Sequence, residues 1–158
     1  MQFNEILSLE NTLSAVQCSS KKKALEIISE LAASSLNLPS QDIFEILLTR
    51  EKMGSTAIGN GIAVPHGKLE GEDAKVVAFF LQLEEPIDFE ASDNQPVDLL
   101  FALFVPEKEC QTKKVILSLV AQYLLDKNVA RQLRTATSNQ ELYQILMNCQ
   151  IELTPKDN

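Results

Sequence analysis

The chain contains one histidine, His66, set in GIAVPHGK (61–68) between Pro65 and Gly67. Pro65 fixes its own φ and drives Val64 toward extended backbone, so the imidazole is expected at the end of a rigid strand, aimed rather than mobile. Gly67 carries no side chain and is expected to leave an approach through which a second macromolecule delivers a group to a ring nitrogen. With an ordinary pKa of ~6.5, an imidazole is mostly neutral near pH 7 and offers a lone pair for attack without a strong base beside it. All five glycines, Gly54, Gly59, Gly61, Gly67 and Gly71, fall within residues 54–71, which suggests a loop shaped around a ligand. Arg50 lies just upstream, and Ser55 and Thr56 bring hydroxyls. Together with backbone N–H groups these make an anion site with a nucleophile in it. Phosphoryl transfer asks a protein mainly for positioning and for donors around the equatorial oxygens, and this is the matching inventory.

Each residue also has a plainer reading. A histidine beside proline in a turn commonly has a structural role. A cation in the last turn of a helix, as Arg50 is expected to be, gains ~0.3–1 kcal/mol from the helix dipole without any ligand. Ser55 and Thr56 are ordinary loop residues. No G-x-x-x-x-G-K-[ST] occurs, and GNGIAV lacks the third glycine of a dinucleotide fingerprint, so no nucleotide cofactor is implied. A metal centre would have to rely on carboxylates such as Asp88, Glu90 and Asp93, more simply solvated loop charges, and none is expected. A hydrolytic triad has no G-x-S-x-G elbow, although His66 could serve as its base. Lys21, Lys22 and Lys23 open a helix, where positive charge is slightly unfavourable; they either touch an acidic partner or an anion, or are solvated.

Something must hold these groups in place. A chain of 158 residues with 45% hydrophobic content can bury one real core and is expected to form one domain. A net charge of −8 argues against a duplex nucleic acid partner. The longest strictly apolar run, LLFALFV at 99–105, is far short of a bilayer span, and MQFNEILSLE lacks the basic start of a signal peptide, so the chain is expected in the cytoplasm and not embedded in a membrane. Cys18, Cys110 and Cys149 follow no disulfide or zinc pattern and are expected to be reduced, mostly buried thiols. Apolar spacing predicts a helix from Ser19 or Ser20 to before Pro39, a second from Ser40 to near Gly54, a third over QTKKVILSLVAQYLLDK, a short fourth over VARQLRTA, and a last one at SNQELYQILMNC. In that last helix Ser138 and Glu141 stand at capping-box spacing. VVAFFLQL (76–83) and DLLFALFVP (98–106) predict strands buried on both faces. The fold class is therefore α/β, helices and strands around one sheet, with the tail from about Thr154 frayed.

TREKMGSTAIGNGIAVPHGKL, with LEIISELA, DNQPVDLLFALFVP and SNQELYQIL, resembles the type-2 (fructose/mannitol) IIA domains of the bacterial phosphoenolpyruvate-dependent phosphotransferase system, and within them the nitrogen-related regulatory branch. The likeness covers residues 4–150, leaving 151–158 as a tail. It implies a mixed five-stranded sheet flanked by helices, with His66 phosphorylated through Nε2 by a small HPr-like carrier protein. It makes Arg50 the phosphate-facing arginine; Ser55, Thr56 and Gly67 remain further phosphate-binding candidates from the residue inventory alone. Many members carry a second histidine near the start of the helix after the V-P turn; the matching position here is Lys113, which can attract phosphate as a point charge but cannot copy an imidazole. No cofactor is implied. The resemblance points to a regulatory phosphocarrier whose targets belong to nitrogen metabolism or potassium transport, kinases or potassium transport proteins among them. Two alternatives stand beside it: a sugar-uptake IIA component that passes phosphate to a IIB domain, and a non-catalytic anion or protein binding module.

Overall fold

Residues 2–148 are described by the computed structural model, and the two uninterrupted apolar runs lie at its centre. In chain order the elements are a single helical turn α1 (Phe3–Ile6), strand β1 (Thr12–Val16), helices α2 (Lys21–Leu36) and α3 (Ser40–Lys52), and short strands β2 (Ala57–Gly59), β3 (Ile62–Ala63) and β4 (His66–Leu69). Two long strands, β5 (Val77–Ile87) and β6 (Val97–Pro106), and helices α4 (Cys110–Leu124), α5 (Lys127–Thr135) and α6 (Asn139–Met147) complete them.

β5 and β6 pair antiparallel, with Phe80 opposite Phe101. Their side chains alternate between two apolar layers. Phe80, Phe101, Leu103 and Val105 face the layer completed by α1, α4, α5 and α6, whereas Phe79, Leu81, Ala102 and Phe104 face α2 and α3. Two covered faces explain why these runs show no polar alternation. Phe3 of α1 meets Phe101 edge-on at 5.7 Å between ring centroids, worth ~0.5–1.5 kcal/mol beyond the area buried.

The sheet is mixed, in the order β1-β5-β6-β3-β2, and β4 also pairs with β6. It counts six strands where the family resemblance implies five, and Pro65 is the reason. Ile62 lies opposite Leu99 and Ala63 opposite Leu100, then His66 opposite Leu103, in one unbroken parallel register. β3 and β4 are thus a single strand interrupted at Val64 and Pro65, where proline has no N–H to give to the ladder. The break leaves Pro65 able to accept, and its carbonyl takes the Leu103 N–H at 2.9 Å.

Helix ends follow the local chemistry. Ser20 Oγ caps α2 by accepting the Lys23 N–H at 3.1 Å, worth about 1 kcal/mol. Ser138 Oγ caps α6 on the Glu141 N–H, but the Glu141 carboxylate closes on Thr137 N–H and Oγ1, so only half of the expected capping box forms. Asp126 caps α5, its carboxylate accepting from the Asn128 and Val129 N–H groups. Strand β1, parallel to β5, was not expected; Ala15 at φ 49° and a register shift break its period of two. Cys18 is half-buried rather than buried, and its thiol donates to Ser20 O. Cys110 opens α4, while Cys149 and the expected tail lie outside the described residues.

Candidate functional site

α3 and β4 bring Arg50 and His66 together. Ile46 and Arg50 are one turn apart and share the face of α3 that meets the sheet. A Cβ on Gly67 would run into Ile46 Cγ2, so the missing side chain of Gly67 is what lets α3 sit this close to β4. That corrects the expectation of an open approach at Gly67: the space is occupied by Ile46, and the residue is buried. One turn beyond Ile46, Arg50 reaches His66, its Nε donating to Nε2 at 3.1 Å. The guanidinium is steadied by a second bond from Nη1 to Gly54 O at 2.8 Å.

The other ring nitrogen fixes the tautomer. His66 Nδ1 stands 2.9 Å from Val64 O, a group that can only accept, so Nδ1 carries the proton. Nε2 then holds the lone pair, which is consistent with its accepting from Arg50. Burial lowers the pKa of His66 below 6.5; the bond to Val64 O works the other way, while the charges of Arg50 and Lys113 lower it further and Glu51 raises it. The outcome is a neutral imidazole at pH 7 with one nitrogen committed to the backbone and the other able to act as a nucleophile.

Access is limited but present. His66 is 7% exposed and lies in a depression of about 160 Å³ that opens to solvent between Arg50, Ser55, Thr56, Val64 and Leu117. Lys113, in the first turns of α4, is near enough for its charge to be felt at the ring. The expected hydroxyl donors are engaged within the protein: Ser55 Oγ donates to Phe89 O at 2.8 Å, and the buried Thr56 Oγ1 donates to Glu51. They shape the wall and do not point donors into it.

The glycine cluster is likewise more architectural than expected. Asn60 and Gly61 both have positive φ, 57° and 78°, and join β2 to β3 as a two-residue turn of the Asn-Gly kind. Its tip is held by Asp93 Oδ2 on the Asn60 N–H and by Arg134 Nη2 on the Asn60 carbonyl. Asp88 and Asp93 cap turns in the same region, accepting from Glu90 and from Gln95. Among the described residues no cluster of three metal-ligating side chains occurs.

Sequence reasoning missed Glu51 and the role of Val64. Glu51 was detectable, since it continues the buried Ile43–Leu47 stripe of α3 where a carboxylate is out of place. Its partner Lys21, read as either solvated or contacting another molecule, turns inward to it at 2.7 Å. The Val64 carbonyl carries no sequence signal.

The family model for the phosphoenolpyruvate-dependent sugar phosphotransferase system, EIIA 2, matches residues 5–149. The chain belongs to this family. It is 60% identical over 146 residues to the nitrogen regulatory protein of Escherichia coli K12, covering 92% of this chain and 90% of that one. It is 42% identical over 148 residues to a nitrogen regulatory protein homolog of Haemophilus influenzae, covering 92% of this chain and 90% of that one. Among solved structures, the nitrogen regulatory protein IIA-Ntr of Neisseria meningitidis superposes with a TM-score of 0.85 at 35% identity, covering 90% of this chain and 97% of the other. The mannitol IIA of Escherichia coli shares the fold, with a TM-score of 0.72. In this EIIA chain no helix of the described residues is long and apolar enough to cross a membrane.

Proposed function

We propose that this protein is a regulatory phosphocarrier: His66 Nε2 accepts a phosphoryl group from a small HPr-like carrier protein in the cytoplasm, and the phosphorylation state then selects which proteins it binds. The observation that carries this reading is the pair of bonds that divides the imidazole, Nδ1–H on Val64 O and Nε2 facing Arg50. In the transfer, the Nε2 lone pair forms a bond to phosphorus while the bond from phosphorus to the carrier breaks, its electron pair leaving with the carrier. The Nδ1 proton stays on the ring, which becomes cationic and is held by the Val64 carbonyl. Arg50 turns its Nε–H from the used lone pair to a phosphoryl oxygen, and Lys113 adds attraction at longer range. Ser55 and Thr56 contribute walls, and Gly67 the closeness of α3.

The regulatory part is supported by the 60% identical relative, whose name is nitrogen regulatory protein. Two charges added at this depression would alter its docking by repulsion or new pairing. Kinases or potassium transport proteins are the kinds of target this reading carries. A sugar-uptake role has a weaker footing in a 32% identical relative from Haloferax volcanii named as a fructose-specific EIIA component.

Incubation with phosphoenolpyruvate, enzyme I and the carrier is expected to place acid-labile phosphate on the wild type and none on His66→Ala. Label persisting in His66→Ala would reject the site, and a folded wild type that takes no label would leave a non-catalytic binding module. Efficient onward transfer to a IIB domain would replace regulation with sugar uptake.

A further inference from the structure

Behind the depression lies a buried ion pair that the chemistry of Arg50 and His66 leaves unused. The Glu51 side chain is 3% exposed. Its carboxylate accepts from Lys21 Nζ at 2.7 Å, from the Thr56 N–H at 3.3 Å and from Thr56 Oγ1. A carboxylate this far from water is costly unless its lone pairs are answered, and here a cation, an amide and a hydroxyl answer them. Thr56 is also bonded on its other side: its carbonyl accepts the Val64 N–H at 3.0 Å. Val64 O in turn accepts His66 Nδ1–H at 2.9 Å. The hydrogen bonds therefore run without a gap from Lys21 through Glu51, Thr56 and Val64 to the imidazole.

We propose that Glu51, locked between Lys21 and Thr56, is a positioning residue that acts through Thr56 and Val64 to hold His66 as the Nδ1–H tautomer with Nε2 turned to the depression. Its consequence for phosphoryl transfer rests on the phosphocarrier reading, whereas its effect on the ring does not. Val64 precedes Pro65 and sits in the break between β3 and β4, so its carbonyl direction is not set by a continuous ladder. The Val64 N–H bond to Thr56 O anchors the residue on one side, and the restricted ψ of a residue before proline passes that anchor on to its carbonyl. As Nε2 bonds to phosphorus the ring gains positive charge, and the Nδ1–H bond to Val64 O becomes charge-assisted and stronger. A fixed negative charge at the far end of the chain favours the same change, in keeping with the upward influence of Glu51 on the proton affinity of His66.

The test uses the fact that one histidine gives one set of ring nitrogen signals. Imidazole 15N spectra of the wild type are expected to show Nδ1 protonated. Thr56→Val removes the hydroxyl at nearly constant shape, Glu51→Gln removes the charge, and Thr56→Ser keeps the hydroxyl. Thr56→Val and Glu51→Gln are expected to show mixed tautomers and a kcat for transfer from the HPr-like carrier lowered on the order of tenfold to a hundredfold, with KM for the carrier unchanged. Thr56→Ser should restore both readouts, which loss of fold alone would not do selectively. Variants are judged from those whose amide spectra are dispersed, so that either of the two disruptive variants decides if the other does not fold. Wild-type tautomer and kcat in a folded disruptive variant would overturn the proposal. A tautomer that depends on Thr56 in a protein that never accepts phosphate would instead sink the phosphocarrier reading and leave this inference standing.

Discussion

Gly67→Ala tests the contact that sets the distance between α3 and β4. Gly67 does not have a positive φ, so alanine fits the backbone, and reduced freedom of the unfolded chain would by itself stabilise the protein by about 0.4–1 kcal/mol. The added methyl, however, overlaps Ile46 Cγ2, with Phe104 Cδ1 at 3.7 Å on its other flank. Overpacking of this kind costs ~1–3 kcal/mol, which leaves a net loss of roughly 1–2 kcal/mol. In urea unfolding followed by circular dichroism the midpoint should fall with the slope unchanged. Relief of the clash pushes α3 outward and carries Arg50 with it. The 3.1 Å bond to His66 Nε2 has little slack before it exceeds ~3.5 Å and ceases to be a hydrogen bond, so the labelling rate should drop as well. Ile46→Ala makes room for the new methyl. Ile46 is half-buried, so this change alone should cost about 1–2 kcal/mol, less than a fully buried isoleucine loses. If the clash is the cause, Gly67→Ala with Ile46→Ala should be less destabilised than the sum by about 1–2 kcal/mol. Additivity within ~0.5 kcal/mol would refute the reasoning, because the two residues would then not be in contact in the way described.

Three further outcomes follow from the electrostatics of the ring. Burial, the largest cause, lowers the pKa of His66 below 6.5, so the fall of labelling with pH should have its midpoint below 6.5; an NMR titration with its midpoint at or above 6.5 would contradict this. The unfolded ring binds a proton before the folded one does, so this residue's contribution to stability is present above pH 6.5, is lost as pH falls from 6.5 to the folded pKa, and is level below that, measurable as a drop in the urea midpoint across that window. Lys113→Gln removes one of the charges that lower the pKa, so the titration midpoint should move up toward 6.5. Labelling should slow roughly threefold, as befits a solvent-screened charge worth ~0.2–1 kcal/mol, and should become less sensitive to salt.

Much of this site was legible because periodicity survives translation into structure. The stripe of α3 placed Arg50 in its last turn, and the V-P-H order marked a strand boundary at His66, although the residue opens β4 past the Pro65 break rather than closing a strand. The long strands were legible because apolar runs on both faces leave no other use for them. What failed was the meaning given to small residues. Gly61 serves a turn and Gly67 a helix contact, and composition alone cannot separate a glycine needed for a ligand from one needed for a neighbouring side chain. The intramolecular partners of the Ser55 and Thr56 hydroxyls, Phe89 O and Glu51, were not legible either, since they are fixed only by tertiary structure. Strand β1 was hidden by its bulge at Ala15.

In the proposed reaction the resting site masks its own nucleophile. Arg50 donates to the Nε2 lone pair, so an approaching electrophile meets a guanidinium before it meets the nitrogen. The mask favours the reactive form, because a cation at Nε2 opposes protonation there and keeps the ring neutral. A phosphoryl oxygen is a better acceptor for that N–H than a neutral ring nitrogen, since it carries negative charge opposite the cationic guanidinium. The incoming group therefore draws Arg50 away from the lone pair it needs, and a neutral electrophile of similar size cannot. Arg50→Lys separates this from simple attraction: lysine keeps the charge but lacks the planar fork that grips Gly54 O and Nε2 together. If attraction were the whole role, Lys would preserve labelling; if the exchange of acceptors matters, the charge-conserving variant should lose most of the rate.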